Sequence, residues 1–317
     1  MITTRRTIIA SALALAACAP HAADNRVLRI GYQKGGVLFL AKSRGVVEKT
    51  LQEEAATRIE WVEFSAGPPL MEAINAGSVD FGSAGDCPSA FAQAAGAAFK
   101  YVAYNPVTGA NQGLLVPKAS TAKSLRDLKG KRIAFTRGSS AHLMIVDALR
   151  AADMTPDDIE QVHLAPADAA TAFATGRIDG WVIWDPFYAM TLGRGEARML
   201  FDGTKLPKTS MFFLAANAYV ESAPDKLKAL LDALSIEAQW GNANTGEVGR
   251  VISEATGLPA DILTASVQRG PLAVLPLSPG VVARQQEVAD TFLTIGALPK
   301  AVRVEDAVWR GWTGNQG

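Results

Sequence analysis

The chain has 317 residues, enough for two domains, since a single core stops growing near this size. Hydrophobic residues make up 49% and charged residues 20%, and 31 basic residues balance 31 acidic ones, so composition excludes a bulk attraction to nucleic acid or to an anionic membrane. A small anion held by a few groups leaves no mark on net charge and stays open.

The first residues read as an export signal and not as part of the fold. Arg5 and Arg6 precede an apolar run from Ile8 to Ala17 that is too short to span a bilayer. Thr4 to Ile9 resembles a twin-arginine signal, and Leu15-Ala16-Ala17-Cys18 resembles a lipobox. Acylation at Cys18 and ordinary cleavage near Ala22 or Ala23 both stay open. Either places the mature chain outside the cytoplasm, with the signal over residues 1–23. The other cysteine, Cys87, has no intramolecular partner left, so the fold is expected to depend on its core.

Val27 to Tyr32 reads as a short buried strand, and Gln33-Lys34-Gly35-Gly36 turns the chain into an apolar segment with Val37, Leu38 and Leu40. Ile59 to Phe64 alternates apolar with polar, as a strand with one covered face does. Pro68 and Pro69 open a helix that Gly77 stops. Val79 to Ser83 is a second strand, and Pro88 to Ala98 an alanine-rich helix. Leu114 to Val116 and Met211 to Ala215 are apolar strands enclosing a compact unit: strand 131–136, helix 139–152, strand 160–164, helix 166–175, strand 179–184, helix 186–193. Such alternation implies a mostly parallel sheet. From Pro224 onward the pattern is helical, over 224–240, 245–256, 259–267 and 279–296, and this tail is expected to return to the first half.

The two halves repeat one pattern. Arg29-Ile30-Gly31-Tyr32-Gln33-Lys34-Gly35 is matched by Arg132-Ile133-Ala134-Phe135-Thr136-Arg137-Gly138, and Gly77-Ser78-Val79-Asp80 by Gly176-Arg177-Ile178-Asp179. A further aspartate follows each copy, Asp86 and Asp185, with Pro88 or Pro186 close behind. Two halves, each ending a strand in a polar-basic-glycine turn, suggest lobes that face one another across a cleft holding an anion.

The sharpest local signal is Gly138-Ser139-Ser140-Ala141-His142, where a glycine turn delivers two serines to the start of a helix. The first turn of a helix has unpaired N–H groups and a positive dipole end, which suits an anion. Plain N-capping is the bland alternative for the serines. Capping is also the plain role of Asp86 and Asp185, with ligand contact an added role for at least one. Trp181 and Trp184 stand on opposite faces of one strand, so one of them can face the cleft. His142 and His163 lack metal-ligand spacing, and no phosphate loop, dinucleotide fingerprint or serine elbow occurs. Cys87 beside Asp86 is better read as core packing than as a nucleophile, since a neighbouring carboxylate raises a thiol pKa.

At Arg29 to Gly35, Gly67-Pro68, Gly82 to Asp86, Gly138 to His142 and Trp184-Asp185-Pro186-Phe187-Tyr188, the chain resembles aliphatic sulfonate-binding proteins. These are exported solute-binding components of ABC importers, related to taurine- and nitrate-binding proteins. The resemblance runs from about residue 27 to the end. It implies an α/β, two-lobed periplasmic binding protein fold of type II with two crossing strands as hinge. Residues 24–115 and 216–317 would form one lobe and 116–215 the other. It implies a ligand site built from Gln33, Lys34, Gly35, Gly85, Asp86, Ser139, Ser140, His142, Trp184 and Asp185. It further implies a small aliphatic sulfonate as ligand, a membrane permease as partner, a monomer, and no enzyme activity, metal or cofactor. Departures fall on the side of the ligand's tail: Gly36-Val37-Leu38-Phe39 follows the first turn, and Cys87-Pro88-Ser89 follows Asp86. A desulfinase of the same superfamily uses a cysteine nucleophile, which leaves an enzymatic alternative through Cys87. Taurine, nitrate or another small organic anion are alternative ligands.

Overall fold

A computed structural model describes residues 27–55 and 57–314. The expected export signal and Cys18 lie outside the described residues. In chain order the first lobe opens with β1 (Val27–Tyr32), α1 (Gly36–Arg44), α2 (Val46–Ala55), β2 (Arg58–Glu63), α3 (Gly67–Asn75), β3 (Phe81–Gly85), α4 (Asp86–Ala95) and β4 (Phe99–Val107). The second lobe holds β5 (Gln112–Pro117), β6 (Arg132–Phe135), α5 (Ser140–Ala151), β7 (Glu160–His163), α6 (Pro166–Ala174), β8 (Gly180–Trp184), α7 (Phe187–Gly193) and β9 (Ala197–Asp202). The chain then returns through β10 (Thr209–Ala216) to α8 (Asn217–Ser222), α9 (Pro224–Ala243), α10 (Thr245–Thr256), α11 (Ala260–Arg269) and α12 (Pro279–Thr294).

Each lobe is built on a five-stranded mixed sheet, ordered β2-β1-β3-β10-β4 in the first and β7-β6-β8-β5-β9 in the second. The three leading strands of each are parallel, as strand–helix alternation requires, and the fourth, β10 or β5, runs antiparallel to both of its neighbours. Sheet membership moves the lobe crossings from the expected 115/116 and 215/216 to residues 108–111 and 203–208, because β5 pairs with β8 and β10 pairs with β3. The two crossings lie side by side, with the Gly203 N–H donating to the Gly109 carbonyl at 3.1 Å.

One half of the sequence repeat is a structural clip. Arg29 Nε donates to Asp80 Oδ2 at 2.9 Å and its Nη1 to the Gly77 carbonyl at 2.6 Å. Arg132 does the same, with Nε to Asp179 Oδ2 at 3.1 Å and Nη2 to the Gly176 carbonyl at 3.3 Å. In both lobes the pair ties the start of one strand to the turn that leads into its parallel neighbour. The other half of the repeat, the glycine turn, sits at the opposite end of the strand, where α/β sheets present ligand groups.

The helical tail returns to the first lobe, as expected, but not all of it stays there. Helix α9 packs on α1 and α2, and α12 on α4, whereas α11 reaches across to α7 of the second lobe. A second bridge is apolar. Cys87, Ala90 and Ala94 of α4 pack with Leu143 and Val146 of α5 and with Val288 and Phe292 of α12 in one buried cluster.

Candidate ligand-binding site

A cavity of about 200 Å³ opens between the lobes. Four helices begin at its wall: α1 at Gly35 and Gly36, α3 at Gly67 and α4 at Gly85 from the first lobe, and α5 at Ser139 and Ser140 from the second. Their leading N–H groups and positive dipole ends converge on one space. Gly35 and Gly36 have φ of 145° and 74°, values that glycine adopts freely, so the turn into α1 keeps its backbone open to the cavity. Gly85 makes room for the facing lobe: a Cβ there would lie 2.0 Å from the Ser140 hydroxyl and displace it.

Eight of the ten residues expected at the site line this cavity: Gln33, Lys34, Gly35, Gly85, Ser139, Ser140, Trp184 and Asp185. Gln33 donates through Nε2 to the Ser83 carbonyl at 3.2 Å. Lys34 stands at the rim, its ammonium 3.4 Å from Glu63. The two serines differ. Ser139 Oγ is spent on the Thr136 carbonyl at 2.7 Å, and that residue is buried. The Ser140 hydroxyl has no protein partner among the described residues, which leaves it free to donate. Trp184 faces the cavity, while Trp181 is sealed in the core of the second lobe.

Asp86 and His142 lie behind the wall. Asp86 is 2% exposed, and its Oδ1 accepts from the Cys87 N–H at 2.9 Å, so it serves the helix start and does not line the cavity. Burial pushes its carboxyl up to about 6, against the pull of the Cys87 N–H and Arg284. The His142 ring stacks on Phe135 and meets Phe292 edge-on, and Nδ1 accepts from the Gly138 N–H at 3.2 Å. Burial, then His163 and Arg137, holds its pKa down to about 4, so this histidine is neutral and braces the turn that carries Ser139.

Asp185 does line the cavity, but it is engaged. Arg269, from α11 of the other lobe, donates through Nη2 to Oδ2 at 2.8 Å and to Oδ1 at 3.0 Å, and the Ala189 N–H donates to Oδ1 at 2.9 Å. Burial raises the Asp185 pKa, with Arg269 opposing. Sequence reasoning missed this arginine, and also Asn105 and Asn111. Both amides line the cavity, and each has a buried Oδ1 without a protein partner among the described residues. It missed the roof as well: Ile252 of α10 and Leu263 and Val267 of α11 supply much of the apolar wall. The cavity thus offers hydrogen-bond donors and dipole ends at one part of its wall and hydrocarbon at another.

The described cysteine does not face it. Cys87 is fully buried and outside the lining, and burial, then Asp86 and Asp147, pushes its thiol well above the usual range.

The NMT1/THI5-like family model matches residues 60–244. The alkanesulfonate-binding protein SsuA of Xanthomonas axonopodis pv. citri, solved bound to MOPS, is 40% identical, with a TM-score of 0.87 over 90% of this chain and 98% of that one. The periplasmic aliphatic sulphonate binding protein SsuA of Escherichia coli is 39% identical, with a TM-score of 0.82 over 92% of this chain and 94% of that one. The chain therefore belongs to the NMT1/THI5-like family, among its aliphatic sulfonate-binding proteins.

Proposed function

We propose that the chain captures aliphatic sulfonates between its lobes and delivers them to the membrane permease of an ABC importer, acting as a periplasmic monomer in sulfur acquisition. The observation that carries this reading is the meeting of four helix starts with an apolar wall in one cavity. A sulfonate is a permanent monoanion with three acceptor oxygens and no proton to give. It needs N–H and hydroxyl donors at one end and hydrocarbon at the other. Gln33, Lys34, Gly35, Gly85 and Ser140 are assigned to the headgroup, and Trp184 with the α10–α11 roof to the carbon chain. Hydrogen bonds to a charged group contribute about 1.5–3 kcal/mol each. Three or four reach roughly the 8 kcal/mol of micromolar binding once desolvation and lobe closure are offset.

A thermal-shift screen tests the reading across methane- to hexanesulfonate, taurine, sulfate, nitrate and benzoate. Ligand at a hundred times its Kd stabilises the fold by about 2.7 kcal/mol, which raises Tm by several degrees. Alkanesulfonates should give that shift and nitrate and sulfate should not; a shift with nitrate alone would reassign the site.

A further inference from the structure

Among the described residues that line the cavity, Asp185 is the only carboxylate. It follows Trp184 at the end of β8 and is bonded to Arg269 at the end of α11, the helix that gives Leu263 and Val267 to the apolar wall. Left alone, it would repel a bound anion and attract a cationic group on the ligand's tail. It is not left alone. Arg269 reaches it from the opposite lobe with both carboxylate oxygens in range, and the guanidinium lies 5.7 Å from the centre of the Tyr188 ring. The pair is mostly buried, with the aspartate side chain 9% exposed. An arginine fork that fills both oxygens leaves little room for a second cation. Arg269 stands behind Asp185, outside the lining, and the cation among the described lining residues, Lys34, is at the rim and faces Glu63.

We propose that Arg269 is the specificity residue that disfavours sulfonates with a primary ammonium on the tail: by occupying Asp185 it removes the one carboxylate such a group would find among the described lining residues. This deepens the sulfonate reading and rests on it. Arg269 also ties the lobes together, so its loss loosens closure and weakens every ligand alike. For that reason the ratio between two matched ligands carries the information, and neither affinity alone does.

Taurine and propane-1-sulfonate share headgroup and length and differ by an ammonium in place of a methyl. Calorimetric titration of the mature full chain with each gives the ratio of their affinities, which in the wild type favours propanesulfonate. Arg269→Gln frees the carboxylate, and the ratio should fall by at least about tenfold, the size of one charged hydrogen bond. Arg269→Lys keeps a cation on Asp185 and should hold the ratio near the wild-type value. Asp185→Asn leaves Arg269 unpaired beside the cavity and should move the ratio the other way, further against taurine. An unchanged ratio in Arg269→Gln overturns the proposal. If that variant does not fold, an unchanged ratio in Asp185→Asn does so. A wild type that binds no alkanesulfonate sinks the sulfonate reading itself, before any variant is made.

Discussion

Ser139 and Ser140 are neighbours at the start of one helix, yet the fold gives them different work. Ser139 holds the Thr136 carbonyl and Ser140 points a free hydroxyl toward Gly85 of the facing lobe. Ser139→Ala should therefore cost stability, about 0.5–1.5 kcal/mol for one lost hydrogen bond, as read by denaturant unfolding without ligand. Ser140→Ala should leave stability alone and weaken all sulfonates by a similar factor. Trp184→Ala should weaken hexanesulfonate by about 1–3 kcal/mol, the value of an apolar wall, and barely change methanesulfonate. Equal losses for both ligands in calorimetry would show that Trp184 supports the core and that the chain lies elsewhere. These residues were legible because each stands at or just past the end of a strand, next to a glycine or proline signal. The choice between Trp181 and Trp184 was not, since alternation places them on opposite faces without saying which face is inside. Arg269 was illegible for a plainer reason: it sits on a tail helix whose pattern is ordinary, and only the folded chain brings it to Asp185.

The strands and helices that sequence reasoning missed share a cause. β4 and β9 are edge strands with mixed composition, β4 carrying Asn105 and Pro106 and β9 carrying Arg198 and Met199, so neither shows clean alternation. They are fixed by pairing with β10 and β5, strands distant in sequence. Helices α2 and α8 are set by what packs on them, since α9 covers both. The repeated Arg-to-Asp clip, by contrast, was visible as sequence and proved to be scaffold, while residues of the glycine turns at the other ends of the strands line the cavity. Helix α5 shows the same division within one element, with Ser140 at the cavity and His142 behind it. The depressed pKa of His142 sets a sign. Between pH 6.5 and about 4 the unfolded chain binds a proton there that the folded chain does not, so stability is full above 6.5 and falls as pH drops through that window. Asp86, raised to about 6, acts in the opposite sense, gaining stability as pH falls through that value. His142→Phe loses an acceptor at every pH but removes the first effect alone. Its decline between pH 6.5 and 4.5 should be shallower than the wild type's by roughly 2–3 kcal/mol, as followed by denaturant unfolding. Parallel declines would mean that His142 is solvated and does not brace the turn.

At the scale of the molecule, the lobes are joined by two crossings and also by contacts that a hinge alone would not need. The buried cluster around Cys87, Leu143 and Phe292 lies between α4, α5 and α12. An Asp147–Arg284 pair at 3.4 Å spans the same boundary, and Asp185–Arg269 joins the lobes at the cavity wall. Cys87 thus has a role in holding the lobes together, which accounts for its burial without any chemistry. The overall division into two α/β lobes was legible from repeat and alternation. The position of the crossings was not, because β5 and β10 are apolar strands that would suit either sheet. The cavity is lined both by the strand ends and by the α10–α11 roof, so a ligand that reaches headgroup donors and roof together should bind more tightly than one that reaches either alone.

Isothermal titration of the mature chain with the series methane-, propane- and hexanesulfonate, alongside phosphate at the same pH, tests this most directly. One ligand per chain should bind, with affinity rising along the series toward about micromolar, roughly 8 kcal/mol, and phosphate should give no saturable heat. A flat series, or phosphate binding as well as hexanesulfonate, would contradict a cavity that reads both a monoanionic headgroup and a carbon chain.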